Sequence, residues 1–199
     1  MKYYLDITLL PDAEASLGFL WHKIYQQVHL AIVDNKTLDN TSEVAISIPK
    51  YKKGKHPLGN TLRLLAPTKA HLKQMDINLW LEHFTDYAHC KSIREIPKEH
   101  GFVVVQRKHV KSEKDYKIKQ ERMIKWRLQN AGETLEQASR EVEGGVRQSC
   151  KLPFIHVQSL SADKRFQLFI NAFKVKEAVL GKYSCYGLSV NGTTVPDFD

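Results

Sequence analysis

In the run VQRKHVKS, residues 105–112, Arg107 and His109 stand two residues apart at what reads as the end of a strand. Alternate residues of a strand share a face, so the two side chains are expected to project together. An arginine fork matches O6 and N7 of guanine bidentately, and a histidine two residues on is placed to address the neighbouring base. That chemistry is the reading of a nucleic acid. The charge that follows fits it. Residues 105–127 hold nine Lys or Arg against three Asp or Glu, a net +6, in a chain whose whole formal charge is +8.

The charged segment has helical character over residues 112–129. Projected at about 100° per residue, Lys111, Lys114, Arg122 and Lys125 fall within roughly 80° of one another, and Lys117 lies about 60° beyond. Lys119 adds a further cation. Tyr116, Ile118, Met123, Ile124 and Trp126 form no single stripe, so a helix here has no clear core-facing side. One basic face suits a nucleic-acid groove, because each phosphate neutralised releases condensed counterions. A solvated surface helix accounts for the same charge pattern. An acidic lipid surface is the competing partner, but the apolar anchoring face it requires is missing.

Other candidate chemistry is sparse. The nine histidines are scattered with no HExxH spacing, and the acids are spread along the chain, so no metal site is expected. His29 falls near the end of a long helix, where the dipole favours a cationic imidazole. Its side-chain type suits a general base, since an unperturbed imidazole titrates at about 6.5. Read alone, it is a satisfied or surface histidine. His22 lies on the same face, at i and i+7, and reads as a surface residue. Ser159 is one polar residue on an alternating strand, and Ser161 follows two residues along that face. Phe166 alternates with Leu168 and Ile170 and reads as core. Tyr186 sits between Cys185 and Gly187, where the glycine allows close backbone approach.

These residues need elements to position them. Residues 2–10 alternate as a half-buried strand, and Leu17, Leu20, Trp21, Ile24, Val28 and Ala31 recur at helical spacing over 14–34. EVAISIP (43–49) and TLRLLA (61–66) read as strands around the basic loop KYKKGKHPLG. Residues 67–84 read as helix, divided at Asp76, and KSIREIP (91–97) as strand. The order is β-α-β-β-α-β, a ferredoxin-like (RRM-like) arrangement whose sheet is a common RNA platform. A second, smaller α+β domain is expected from about residue 101 to 199. It holds a strand at 102–109, the basic helix, a helix at 133–143 ended by Gly144-Gly145, paired strands at 152–161 and 164–175, and a short strand within 181–192.

A chain of 199 residues has material for a real core. No apolar run approaches the ~20 residues that span a bilayer, and the alternating start MKYYLDITLL does not read as a secretion signal. Cys90, Cys150 and Cys185 are odd in number and lack CxxC spacing, which points to reduced thiols in a cytoplasm.

The longer motifs are specific. YYLDITLLPD, a histidine late in the first helix, LGNTLRLLA, RKHVKS leading into the basic helix, LPFIHVQSLSADKRFQLFI and YSCYGLS together cover essentially the full length. In these the chain resembles the CRISPR-associated endoribonucleases of subtype I-F systems, the Csy-type processors of precursor CRISPR RNA. The resemblance implies binding of a stem-loop in each CRISPR repeat and cleavage at the 3′ base of the stem. It implies the substrate's own 2′-hydroxyl as nucleophile, no metal or other cofactor, and a 2′,3′-cyclic phosphate product. It further implies a monomer when free, which keeps its processed RNA and joins other Cas subunits of the interference complex, with no membrane partner.

By position, the resemblance makes His29 the catalytic histidine, Ser159 the holder of the reacting ribose and Tyr186 the residue that orients the histidine. Phe166 then stacks near the cut. Ser161, on the strand face of Ser159, is expected as a secondary ribose contact, and the basic side chains of Lys111, Lys114, Lys117, Lys119, Arg122 and Lys125 are expected to line the groove. A serine hydroxyl donates and accepts at once, which suits pinning a ribose hydroxyl. The chain departs from the family pattern in two places. It has Arg107-Lys108-His109 where the pattern is Arg-x-Gln, and a mostly lysine helix where the pattern is arginine-rich. Two other readings fit parts of the sequence: a non-catalytic RNA-hairpin-binding protein of the same fold, and a metal-dependent nuclease, which would need clustered carboxylates.

Overall fold

The computed structural model describes residues 1–110, 113–143, 150–159 and 164–199, without the side chains of residues 113–115 and 143. It is a mixed α/β protein. Two compact units are present: Met1–Lys108 together with Leu152–Asp199, and His109–Lys151. The units part at residues 108 and 151, not at about residue 100, because the C-terminal strands pair with residues that precede the basic helix.

The first sheet of the larger unit is built around β1 (Tyr3–Leu9). After α1 (Leu17–Asp34) and the short β2 (Thr41–Ser42) come β3 (Ala45–Ser47) and β4 (Thr61–Ala66). Next are α2 (Lys69–Met75), α3 (Ile77–Trp80), a 3-10 turn at Glu82–Phe84, β5 (Ala88–Cys90) and β6 (Arg94–Glu95). The sheet order is β3-β4-β1-β5, with β6 also on β1, and every pair is antiparallel. The division at Asp76 holds: its backbone is left-handed (φ 38, ψ 59), which ends α2 and restarts the chain as α3. An aspartate tolerates that conformation better than most residues.

The strand expected at 91–97 is shorter and shifted. Ile7 pairs with Cys90, but Tyr3 pairs with Glu95, so residues 91–93 contain one residue too many for a continuous ladder. The extra residue is a bulge that divides the edge into β5 and β6.

Leu5, Ile7 and Leu9 of β1 face the core as the alternation predicts. The opposite face is not simply solvated. Asp6 lies directly across the ladder from Arg63 of β4, and the two side chains meet at 2.7 and 3.1 Å while both are buried. The Arg63 guanidinium also rests 3.9 Å above the Phe198 ring and 4.8 Å from that of Tyr4.

Helix α1 starts where the Ser16 hydroxyl accepts from the Phe19 amide, an N-cap. It buries Leu20, Trp21, Ile24, Tyr25, Val28, Ala31 and Ile32, a stripe at three- and four-residue spacing.

The remaining elements are β7 (Gly101–Lys108), α4 (Glu113–Asn130), α5 (Leu135–Glu143), β8 (Phe154–Ser159), β9 (Lys164–Val175), β10 (Tyr183–Ser184) and β11 (Val195–Asp197). A second antiparallel sheet runs β11-β7-β9-β8, and β10 pairs with β2 as a separate two-stranded ribbon. The expected pairing of β8 with β9 is present; the turn joining them, with Ser161, lies outside the described residues. β2 and β11 escaped the sequence reading because two or three residues show no periodicity.

In the smaller unit, α4 does have a partner. Tyr116, Gln120, Met123 and Arg127, spaced four, three and four apart, line a cavity of about 200 Å³ with Glu141 and Val142 of α5. Arg127 reaches both carboxylate oxygens of Glu133 at 3.1 Å, and the Gln120 side chain donates to the Val142 carbonyl at 3.4 Å. This mixed seam escapes a search for an apolar stripe. Between Thr134 and Gln137, each side chain accepts from the other's backbone amide, a capping box that fixes the start of α5. Among the described residues, no helix is long and apolar enough to cross a membrane.

Candidate functional site

His29 lies on α1 one turn beyond Tyr25, half-buried, with its ring against the turn Cys185–Gly187 that follows β10. Its Nδ1 is 3.1 Å from the Cys185 carbonyl oxygen. A carbonyl only accepts, so Nδ1 carries the proton and neutral His29 presents a bare Nε2. The ring lies parallel to that of Tyr186, with centroids 4.3 Å apart and planes 3° from coincident. Burial pushes the imidazole below its ordinary pKa, and the Cys185 hydrogen bond opposes this to a smaller extent. Burial thus works against the cationic imidazole that the end of the helix favours.

Tyr186 stands at the centre of an aromatic and cationic group. The Phe166 ring meets it edge-on at 6.3 Å, and the Arg107 guanidinium lies 5.1 Å from the Phe166 centroid and 5.8 Å from that of Tyr186. Phe166 thus belongs at once to the row it shares with buried Leu168 and Ile170 and to the group around His29. Burial raises the Tyr186 hydroxyl pKa, so it stays protonated at neutral pH.

Three backbone contacts hold the turn. Gly187 donates to the Ser184 carbonyl at 2.8 Å, Ile46 donates to the Gly187 carbonyl at 2.8 Å, and Ser184 donates to the Leu188 carbonyl at 2.9 Å. Gly187 has φ 70, and a Cβ there would sit 2.7 Å from Ile46 Cγ2 and 3.0 Å from Ile32 Cδ1. Only glycine combines that backbone with that approach.

Ser159 closes β8, opposite Lys164 of β9. It is tied to α1 through its neighbour. The Gln26 side chain accepts from the Gln158 amide at 2.9 Å and donates to the Gln158 carbonyl at 3.1 Å, as a strand would. One helical turn earlier, the His22 Nδ1 donates to the His156 carbonyl at 2.7 Å. His22 is therefore half-buried and engaged with β8, not a free surface residue.

The structure brings His29, Tyr186, Phe166 and Arg107 together. His109 lies one residue past the end of β7. On α4, Lys117, Lys119, Arg122 and Lys125 are exposed. Lys111 lies outside the described residues, as does the side chain of Lys114. Sequence reasoning missed Tyr25, Gln26 and the Cys185 carbonyl. Tyr25 was visible as the i−4 neighbour of His29 on one helix face; a backbone carbonyl leaves no sequence signal. Among the described residues, no group of three or more His, Cys, Asp or Glu could hold a metal ion.

Fold and site thus describe a mixed α/β protein in which one half-buried histidine stacks on a tyrosine that in turn neighbours an arginine and a phenylalanine. A family model described as "CRISPR-associated protein (Cas_Csy4)" matches residues 4–198. The "CRISPR-associated endonuclease Cas6/Csy4" of Escherichia coli (strain UTI89 / UPEC) is 30% identical over 194 residues, covering 97% of this chain and 98% of its own. The protein so described from Pseudomonas aeruginosa (strain UCBPP-PA14) is 27% identical over 193 residues, covering 96% and 97%. The chain belongs to the Cas_Csy4 family. A solved structure described as "An RAMP protein binding different RNA substrates" aligns with 98% of this chain and 99% of its own, at 14% identity and a TM-score of 0.39, too remote a likeness to bear on function.

Proposed function

We propose that the protein is an endoribonuclease that processes precursor CRISPR RNA, cutting at the 3′ base of the repeat stem-loop without a metal ion. Nε2 of His29 takes the proton of the ribose 2′-hydroxyl, and the 2′-oxygen attacks the adjacent phosphorus. The bond to the 5′-oxygen of the next nucleotide breaks, and that oxygen takes up a proton from water or from the imidazolium that has just formed. The upstream product then ends in a 2′,3′-cyclic phosphate. The observation that supports this reading best is the His29–Cys185 hydrogen bond, which leaves Nε2 as the basic atom. Both relatives are named endonucleases.

In this reading Ser159 pins the reacting ribose, with Ser161 as a secondary contact, and Tyr186 orients His29 by stacking. Phe166 and Arg107 receive the base at the foot of the stem, with His109 at the neighbouring one. The basic helix holds the stem phosphates, and the product stays bound and joins other Cas subunits of a subtype I-F complex. The free protein is a monomer in a prokaryotic cytoplasm. The ferredoxin-like assignment of the N-terminal half belongs to the same proposal; the antiparallel order β3-β4-β1-β5 supports it.

Two measurements follow. The acid limb of kcat/KM reports the free enzyme's base, so its midpoint should lie below the ordinary histidine value of about 6.5, because burial depresses His29. Activity then falls away only as pH drops through that lower value; a midpoint above 6.5 would assign the limb to another group. Replacing Lys114, Lys117, Arg122 and Lys125 by Ala should flatten the slope of log K against log salt by about 0.7–0.9 for each phosphate no longer neutralised. An unchanged slope would make α4 a solvated face.

A further inference from the structure

We infer that Tyr25 is a positioning residue for His29: the two side chains, one turn apart on α1, grip successive carbonyls of the Cys185–Tyr186 turn and fix the imidazole with Nε2 unprotonated. The inference rests on the proposed role of His29 and adds to it the device that holds the base.

The Tyr25 hydroxyl donates to the Tyr186 carbonyl at 3.0 Å, and the His29 Nδ1–H donates to the Cys185 carbonyl at 3.1 Å. Residues i and i+4 of a helix lie one above the other, so one helix face meets two consecutive peptide units. Tyr25 is fully buried in the core, whereas His29 is half-buried at its edge. A side chain fully buried in the core has little freedom to move, and through its hydroxyl α1 sets the height of the turn. The turn in turn sets both the acceptor for Nδ1 and the plane on which the imidazole stacks. Gly187 works in the same direction, since its close approach to Ile46 and Ile32 seats the turn against the core.

Burial lifts the Tyr25 hydroxyl far above the ordinary phenol value, and Tyr186 and Cys185 add to the shift while Arg107 opposes it. Tyr25 is therefore a donor at every working pH and takes no part in proton transfer. Its contribution is geometric.

Removal of the Tyr25 hydroxyl frees the Tyr186 carbonyl and loosens the turn. The Cys185 hydrogen bond weakens, and with it the preference for the Nδ1–H tautomer. Because that bond raises the His29 pKa against burial, weakening it lowers the pKa further. A variant that only unfolds more readily loses active molecules equally at every pH. A variant that loses positioning shifts the acid limb to lower pH and mixes the tautomers.

Tyr25→Phe keeps the ring and removes only the hydroxyl. In protein labelled with nitrogen-15 at histidine and free of RNA, wild-type His29 should show a protonated Nδ1 and bare Nε2 above its pKa, and Tyr25→Phe should show a mixture. On cognate repeat hairpin, single-turnover cleavage by Tyr25→Phe should fall about tenfold with hairpin Kd within about twofold of wild type, the range of a weakened base with docking intact. The acid limb should move to lower pH. A wild-type rate, limb and tautomer in Tyr25→Phe would overturn the inference, as would an Nε2–H tautomer in the wild type, which needs no variant to be seen. A protein that cuts no hairpin yet shows the tautomer change would instead overturn the proposed activity and leave the positioning intact.

Discussion

His29→Ala is expected to lower cleavage of the cognate repeat hairpin by about 10²–10⁴-fold, the usual contribution of a general base. Hairpin affinity should stay within about twofold, because a base acts on the reacting proton and not on docking. The substitution also leaves the Cys185 carbonyl without its donor and the Tyr186 ring without its stacking partner. That costs about 1–3 kcal/mol of stability, so the variant should be compared with wild type well below its melting transition. A variant that binds normally and cuts at the wild-type rate would remove His29 from the mechanism.

Asp6→Ala is expected to destabilise the protein by about 3–5 kcal/mol, since it leaves a buried guanidinium without its counter-charge. Arg63 and Asp6 side chains are only 5% and 8% exposed, so the guanidinium depends on that carboxylate for its counter-charge. Arg63 would keep the Phe198 carbonyl at 2.7 Å and its two aromatic neighbours. These satisfy part of its hydrogen bonding and attract its charge far less than a carboxylate does. Urea titration reads the destabilisation as a lower midpoint. Replacing both partners, Asp6→Leu with Arg63→Met, should recover much of it, because the penalty belongs to the orphaned charge and not to the absence of a pair. Asp6→Ala with a wild-type midpoint would show that solvent reaches Arg63.

The difference between these two positions marks what a sequence reveals. Leu5, Ile7 and Leu9 announced a strand by alternation, and the stripe from Leu20 to Ala31 announced α1, because burial imposes a period on side chains. The helical run over 67–84 reads as divided at Asp76, and the left-handed backbone there makes the break. Asp6 and Arg63 are 57 positions apart, and nothing local marks either as buried; the ladder register creates the pair. The site follows the same rule. His29, Ser159, Phe166 and Tyr186 stood out through motifs, whereas the bonds that seat them run to the backbone at Cys185, Tyr186 and Gln158. Any residue supplies a carbonyl, so these anchors have no compositional trace.

The most direct test is cleavage of repeat RNA from the organism's own CRISPR array in excess EDTA, with mass spectrometry of the upstream product. A single cut at the 3′ base of the stem, ending in a 2′,3′-cyclic phosphate, is the predicted result. A free 3′-hydroxyl on that product, or cleavage that stops when divalent ions are chelated, would contradict attack by the 2′-hydroxyl with His29 as base.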